Sequence, residues 1–136
     1  MMSQQTVQEI MHKKSITVQC LTPFSKIIKT LISSQQTQLP VVNKDDKLIG
    51  MVSLMDCQKA LLISGYHCDK PVTVNDIMAK EFTSVTTSEA LSEVAIKTQK
   101  LTDNIFPVVE GDKLVGILKR ADLLLYLEEN LLRCST

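Results

Sequence analysis

Two motifs could do chemistry, because each places polar side chains where an apolar run leads into a helix. The stretch GMVSLMD ends on Asp56 with Ser53 three residues earlier, and the stretch GILKRAD ends on Asp122 with Lys119 in the matching place. A carboxylate offers two hydrogen-bond acceptors, and a lysine beside a helix N-terminus adds charge to backbone N–H groups that already attract anions. These residue types favour the binding of a small polar or anionic molecule.

Patterns typical of catalysis or of metal binding are not found in the sequence. His12 and His67 lie in different segments, no G-x-S-x-G elbow occurs, and the four glycines are isolated, so they form no phosphate loop. His67, Cys68 and Cys57 could be three soft ligands, but a fourth is missing and ordinary free thiols explain the cysteines. We therefore expect no enzymatic activity, no required cofactor and no metal.

The composition limits the partners and the location. The 136 residues carry 15 basic and 15 acidic side chains, which leaves no long-range field to gather nucleic acid or an anionic membrane. No apolar run approaches the roughly 20 residues of a membrane span, and the first residues lack the pattern of a signal peptide. The cysteines show no C-x-x-C pair. We expect a cytoplasmic protein with reduced thiols and with neither nucleic-acid nor membrane partners.

An internal repeat fills nearly the whole chain. EIM at residues 9–11 returns as DIM 67 residues later, and LPVV at residues 39–42 returns as FPVV at the same distance. DKLIG at residues 46–50 returns as DKLVG after 66 residues, because one residue is lost in the turn. Such repetition indicates two copies of one structural unit.

Each copy predicts the order strand, helix, strand, strand, helix. In the first copy a helix begins at Pro23 with Thr22 as its N-cap. Its apolar stripe falls at helical spacing. The stripe consists of Phe24, Ile27, Ile28, Leu31 and Ile32. The remaining predicted elements are strands at residues 16–18, 38–42, 47–52, 83–86, 105–109 and 113–118, and helices at residues 53–63, 90–99 and from residue 120.

The predicted organisation is a repeat at residues 7–66, a connector at 67–72 and a second repeat at 73–133. A unit of about 60 residues has an apolar sheet face that it cannot bury alone, so the two copies are expected to pair. One domain built from two pseudo-symmetric halves follows.

The repeated motif resembles that of the CBS domain, which occurs in tandem as a Bateman module. The shared pattern is an apolar-Pro-Val-Val strand, a turn, and Gly-apolar-apolar-(Ser/Thr)-x-x-Asp opening a helix. The resemblance covers residues 7–132, and only Lys119 departs from it, standing where the hydroxyl belongs. It implies an α/β (α+β) fold of two β-α-β-β-α repeats packed sheet to sheet as a flat disc, frequently as a homodimer.

The resemblance also implies adenosine ligands, namely AMP, ADP, ATP or S-adenosylmethionine, bound in clefts between the repeats. In this family the motif aspartate holds the ribose diol, while the hydroxyl, the helix N-terminus and the partner repeat meet the phosphates and base. By position, one cleft would contain Asp122, Lys119, Thr22, Thr37 and Gln38. The other would contain Asp56, Ser53, Glu89 and Asn104.

Structural roles compete with these assignments. Ser53 and Asp56 also spell a capping box, which alone would account for both. Lys119 cannot accept a capping hydrogen bond, so Asp122 is favoured as a ligand contact, although Lys119 can equally be a solvated surface lysine.

The second cleft is less suited to phosphate. Glu89 stands where the first copy has Thr22, and a carboxylate repels phosphate. Thr86 and Glu89 also spell a capping box. We therefore expect one nucleotide per chain, in the cleft with Lys119 and Asp122.

The last helix is apolar on more than one side, which suggests a partner surface. A second copy of the chain is the expected partner, while the alternative is that Leu125 or Leu132 covers the first repeat. Taken together, the sequence predicts a regulatory module that binds an adenosine compound and signals by altered contacts with an effector protein. The alternative is a protein-interaction and dimerisation module with degenerate, ligand-free clefts.

Overall fold

The computed structural model of the protein describes residues 5–13, 16–64 and 72–135. The predicted connector, with His67 and Cys68, lies outside these residues except for Val72. The elements are α1 (Val7–Ile10), β1 (His12–Lys13), β2 (Val18–Gln19), α2 (Phe24–Ser34), β3 (Gln38–Val42), β4 (Leu48–Ser53), α3 (Leu54–Ser64), α4 (Val74–Ile77), β5 (Val85–Thr86), α5 (Leu91–Thr98), β6 (Ile105–Glu110), β7 (Lys113–Lys119) and α6 (Arg120–Ser135).

The predicted α+β fold with two repeats is confirmed, since the order strand, helix, strand, strand, helix occurs twice. Each copy is also preceded by a four-residue helix, α1 or α4, that the sequence pattern did not predict. A single turn of helix is too short to display an amphipathic period. The start of α4 is marked instead by the capping-box spacing of Thr73 and Asp76, whose carboxylate accepts the Thr73 N–H at 2.9 Å.

The chain folds into two compact units, and each contains the leading segment of the other repeat. The N-unit is Ile16–Phe82 and holds β2 to α4. The C-unit joins Met1–Ser15 to Thr83–Thr136 and therefore holds α1 and β1 together with β5 to α6. Residues from opposite ends of the chain thus meet within the C-unit.

The N-unit is a three-stranded sheet, β2-β3-β4, covered by helices. β2 runs parallel to β3, and β3 pairs antiparallel with β4. α2 buries Ile27 and Leu31 completely, as its apolar stripe predicts, but Ile32 is 66% exposed and lies outside the buried face. The buried core consists of Val18, Ile27, Leu31, Leu39, Val41, Val52, Cys57 and Val74.

The predicted N-cap of α2 is wrong by one residue. The helix begins at Phe24 with Pro23 as its N-cap, in an extended conformation and without a side-chain cap. The Thr22 hydroxyl donates instead to the Gln19 carbonyl at 2.6 Å. The Phe24 N–H donates to the Val72 carbonyl at 3.0 Å, so pairing with the segment before α4 keeps the chain extended up to this point.

The C-unit is a four-stranded sheet in the order β1-β7-β6-β5. β1 lies at its edge, with His12 opposite Ile117 and Lys13 opposite Gly116. A Cβ at Gly116 would lie 2.6 Å from the His12 carbonyl oxygen, so only glycine permits this close approach. The repeated glycine therefore positions the leading segment on the sheet.

Arg120 ties the start of α6 to the loop between α5 and β6. Its guanidinium donates to the carbonyls of Asp103 and Leu101, both at 2.8 Å, and of Thr98 at 3.3 Å. The group also lies 5.2 Å from the centre of the Phe106 ring, a cation–π arrangement. These contacts fix the first turn of α6. Within the described parts of the chain, no helix is both long and apolar enough to cross a membrane.

Candidate functional site

Asp122 lies in the first turn of α6, and its carboxylate is paired with His12 of β1. Nε2 of His12 is 2.7 Å from Oδ2 of Asp122, and the two side chains are 51% and 32% exposed. The residues are 110 positions apart in the chain, and they meet because β1 pairs with β7, the strand that leads into α6.

His12 and Asp122 line a pocket of about 290 Å³ within the C-unit. Asp122 and Glu129 supply carboxylates, His12 supplies a ring nitrogen, and Ile10 supplies apolar surface. A pocket with an apolar wall and a few polar groups can orient a small organic molecule by hydrogen bonds. The pocket is lined by Gln5, Ile10, His12, Asp122, Leu125, Tyr126 and Glu129.

Asp56, the counterpart of Asp122 in the N-unit, has a different environment. The Asp56 N–H donates to Oγ of Ser53 at 3.0 Å, and the Ser53 N–H donates to Oδ2 of Asp56 at 3.0 Å. The capping box predicted from these two residues is therefore formed. Ser53 and Asp56 satisfy each other, whereas Asp122 has Lys119 in the capping position and turns to His12.

Lys119 is the last residue of β7, opposite Ile105, and is half-buried. Its side chain has no ion-pair partner in the part of the chain that the structure describes. The role predicted for Lys119, the binding of a phosphate at the start of α6, stays a prediction.

The other residues predicted for this cleft belong to the N-unit. Gln38 opens β3, and the Thr37 carbonyl accepts a hydrogen bond from the Leu54 N–H at 2.9 Å. The grouping of Thr22, Thr37 and Gln38 with Asp122 stays a prediction. The same holds for Asn104 of the C-unit, which was predicted beside Asp56. Its carbonyl accepts a hydrogen bond from the Arg120 N–H at 2.8 Å, matching that of Thr37.

Glu89 is engaged within the C-unit. Lys97 Nζ lies 2.8 Å from its Oε2, and the Thr86 N–H donates to its Oε1 at 2.9 Å. Burial raises the pKa of Glu89, but the hydrogen bonds from Lys97 and the Thr86 N–H, together with the charge of Lys97, lower it by more. The pKa therefore lies below its ordinary value. The Thr86–Glu89 pairing closes a turn and does not cap α5, which begins at Leu91.

No group of three or more metal-binding side chains occurs among the described residues. Cys57 is a free thiol that is buried in the N-unit core. Burial raises the pKa of Cys57, and the neighbouring Asp56 charge raises it further. His67 and Cys68, the other ligands considered from the sequence, lie outside the described residues.

The sequence reasoning overlooked His12 as a site residue. Its signal is a difference between the two copies, because the residue directly after the repeated EIM/DIM motif is His12 in one copy and Ala79 in the other. Ala79 pairs with Met51 in the N-unit in the same way as His12 pairs with Ile117 in the C-unit, so the two positions are equivalent.

The CBS domain family model matches residues 7–63 and 74–129. The chain is 25% identical over 114 residues to a homoserine O-acetyltransferase of Methanococcus vannielii and 29% identical over 118 residues to an L-aspartate semialdehyde sulfurtransferase of Methanocaldococcus jannaschii. These stretches cover 84% and 86% of this chain but only 23% and 22% of the two enzymes. The likeness therefore concerns less than a quarter of each enzyme.

Solved structures resemble the chain over nearly its whole length. CBSX2 in complex with AMP is 25% identical, with a TM-score of 0.77 over 92% of this chain and 97% of that one. The CBS domain pair of protein MJ0100, in complex with 5′-methylthioadenosine and S-adenosyl-L-methionine, is 27% identical, with a TM-score of 0.76 over 93% and 98%. With two matches to the family model and these structural relatives, the chain belongs to the CBS domain family and carries two copies of the domain.

Proposed function

We propose that this chain is a regulatory module that binds one adenosine compound per chain, with Asp122 as the residue that reads the ribose. One observation carries the proposal: the Asp122 carboxylate lines an open pocket, where its partner is the half-exposed imidazole of His12, while Oδ2 of its counterpart Asp56 accepts the backbone N–H of Ser53 in a capping box. An exposed imidazole can leave the carboxylate to a ligand hydroxyl, whereas loss of the Ser53 contact would undo the cap of α3.

The chemistry of the pocket suits the nucleoside part of the ligand. Asp122 accepts the 2′ and 3′ hydroxyls, and the apolar surface of Ile10 and Leu125 accommodates the base. Because Glu129 adds a second carboxylate to the lining, phosphate groups are directed away from it, towards Lys119 at the start of α6. AMP in CBSX2 and 5′-methylthioadenosine with S-adenosylmethionine in the MJ0100 domain pair support an adenosine compound as the ligand.

The module acts by changing its contacts with another protein. Ligand binding shifts a conformational equilibrium only by its differential affinity for the two states, so the ligand must favour one arrangement of the repeats. The likeness to stretches of much longer enzymes supports a regulatory role beside a catalytic protein. The assembly is proposed to be a cytoplasmic homodimer that pairs through α6, where Leu124, which does not line the pocket, is 58% exposed.

A second candidate function is a ligand-free interaction module. Two observations favour it. Ser53 and Asp56 satisfy each other, as expected of an unused cleft. In addition, α3 exposes the large apolar side chains of Met55, Leu62 and Ile63. In this case dimerisation would occur without any adenosine compound.

Thermal unfolding with adenosine, AMP, ATP or S-adenosylmethionine separates the two candidates. A ligand at 100 times its dissociation constant adds about 2.7 kcal/mol to the free energy of unfolding. We expect such a shift with at least one compound, its loss in Asp122→Asn and its retention in the matched control Asp56→Asn. The absence of a shift with every compound, together with a dimer in light scattering, would establish the interaction module instead.

A further inference from the structure

The His12–Asp122 pair is suited to more than ligand contact. Oδ2 of Asp122 is already occupied by Nε2 of His12 at 2.7 Å, whereas a ribose diol needs both carboxylate oxygens for its two hydroxyls. The imidazole is 51% exposed, so it is free to leave the carboxylate for solvent. A diol and His12 therefore compete for the same oxygen.

The competition is confined to one of the two motif aspartates. Ala79 stands in the N-unit where His12 stands in the C-unit, and alanine offers no donor to Asp56. The carbonyl of His12 lies against Gly116, so the backbone of this residue is held at a fixed place beside α6. Only its side chain needs to move when a ligand arrives.

That movement has a cost. The contact between Nε2 of His12 and Oδ2 of Asp122 must break before the ribose can use that oxygen. The free energy of this contact is therefore subtracted from the free energy of ligand binding.

We propose that His12 competes with the ligand for Asp122, so that a ribose diol binds by displacing the imidazole and binds less tightly than it would without this side chain. The inference rests on the proposed function, because it assumes that Asp122 reads the ribose.

Calorimetric titration with adenosine tests the proposal, because adenosine offers the ribose diol without a phosphate. A partly exposed pair is weak, so we expect His12→Ala, which copies Ala79 of the N-unit, to bind adenosine about two- to fivefold more tightly than the wild type. 2′,3′-Dideoxyadenosine lacks the diol and is expected to bind both proteins equally. Glu129→Gln, in the same pocket, leaves the His12–Asp122 pair in place and is expected not to reproduce the gain.

The outcomes separate this inference from the function on which it rests. Adenosine binding that is no tighter in His12→Ala than in the wild type overturns the role of His12 and leaves the adenosine module in place. No adenosine binding in either protein overturns both proposals.

Discussion

Gly116→Ala is expected to displace β1, and with it His12, the residue that pairs with Asp122. The new Cβ would lie 2.6 Å from the His12 carbonyl oxygen and 3.1 Å from Sδ of Met11. The methionine side chain can move aside, but the carbonyl belongs to the backbone of β1. To reach an ordinary contact of 3.4 Å, that backbone must move by about 0.8 Å.

The expected cost follows from this displacement. Overpacking of this kind lowers the free energy of unfolding by about 1–3 kcal/mol, and the better strand propensity of alanine raises it by about 0.5–1 kcal/mol. We therefore expect the free energy of unfolding to fall by about 1–2 kcal/mol, or about 4 °C in Tm for each kcal/mol in a chain of this size. The amides of β1 should also lose protection from hydrogen exchange.

Gly50→Ala is the matched control from the other copy. Its Cβ would lie 2.7 Å from Sδ of Met78 and 2.9 Å from the Ala79 carbonyl, so it strains the equivalent contact in the N-unit. Urea unfolding and hydrogen exchange of both variants are the assays. Gly50→Ala should leave the exchange of His12 and Lys13 unchanged. A Gly116→Ala protein with wild-type stability and full protection of β1 would show that Gly116 is not needed to seat β1.

Three further predictions concern residues outside the pocket. Arg120→Ala loses three hydrogen bonds to carbonyls and the contact with the Phe106 ring, so urea unfolding should show a free energy of unfolding lower by about 2 kcal/mol. Leu54→Ala, at the equivalent and exposed position of the N-unit, should lower it far less. Because the folded-state pKa of Glu89 lies below its ordinary value of 4.5, the stability it contributes is present above about pH 4.5 and is lost as the pH falls through the lowered value. As the pH falls, the stability of Glu89→Gln should therefore decrease less than that of the wild type. Identical acid unfolding of the two proteins would contradict this prediction. Burial raises the pKa of Cys57, so alkylation followed by mass spectrometry should label Cys20 well before Cys57 in the folded protein.

The repeated motifs predicted most of the fold, because they are local patterns of apolar spacing and turn residues. β3 and the start of β6 lie at the predicted residues, and the sequence LPVV or FPVV sits in a buried central strand of each sheet. The leading segments escaped prediction, since α1 and α4 are single turns and β1 has only two residues. Their positions depend on pairing with a sheet formed by distant residues.

The candidate site was predictable only in part. Lys119 in place of a hydroxyl pointed to Asp122 as the aspartate that is free of a capping box, and the structure gives Asp56 the capping box and Asp122 a different partner. The partner itself, His12, could not be read from the sequence, because no local spacing connects residues 110 positions apart. The anchoring of Arg120 to backbone carbonyls was hidden for the same reason.

Whether Asp122 binds the ribose diol is decided by one titration series that compares adenosine with 2′,3′-dideoxyadenosine. We expect the wild type and Asp56→Asn to bind adenosine at least about tenfold more tightly than the dideoxy compound, since hydrogen bonds to a charged group are worth about 1.5–3 kcal/mol each. In Asp122→Asn this preference should largely disappear. Equal affinity of the wild type for both compounds, or a preference that survives in Asp122→Asn, would show that Asp122 does not bind the diol.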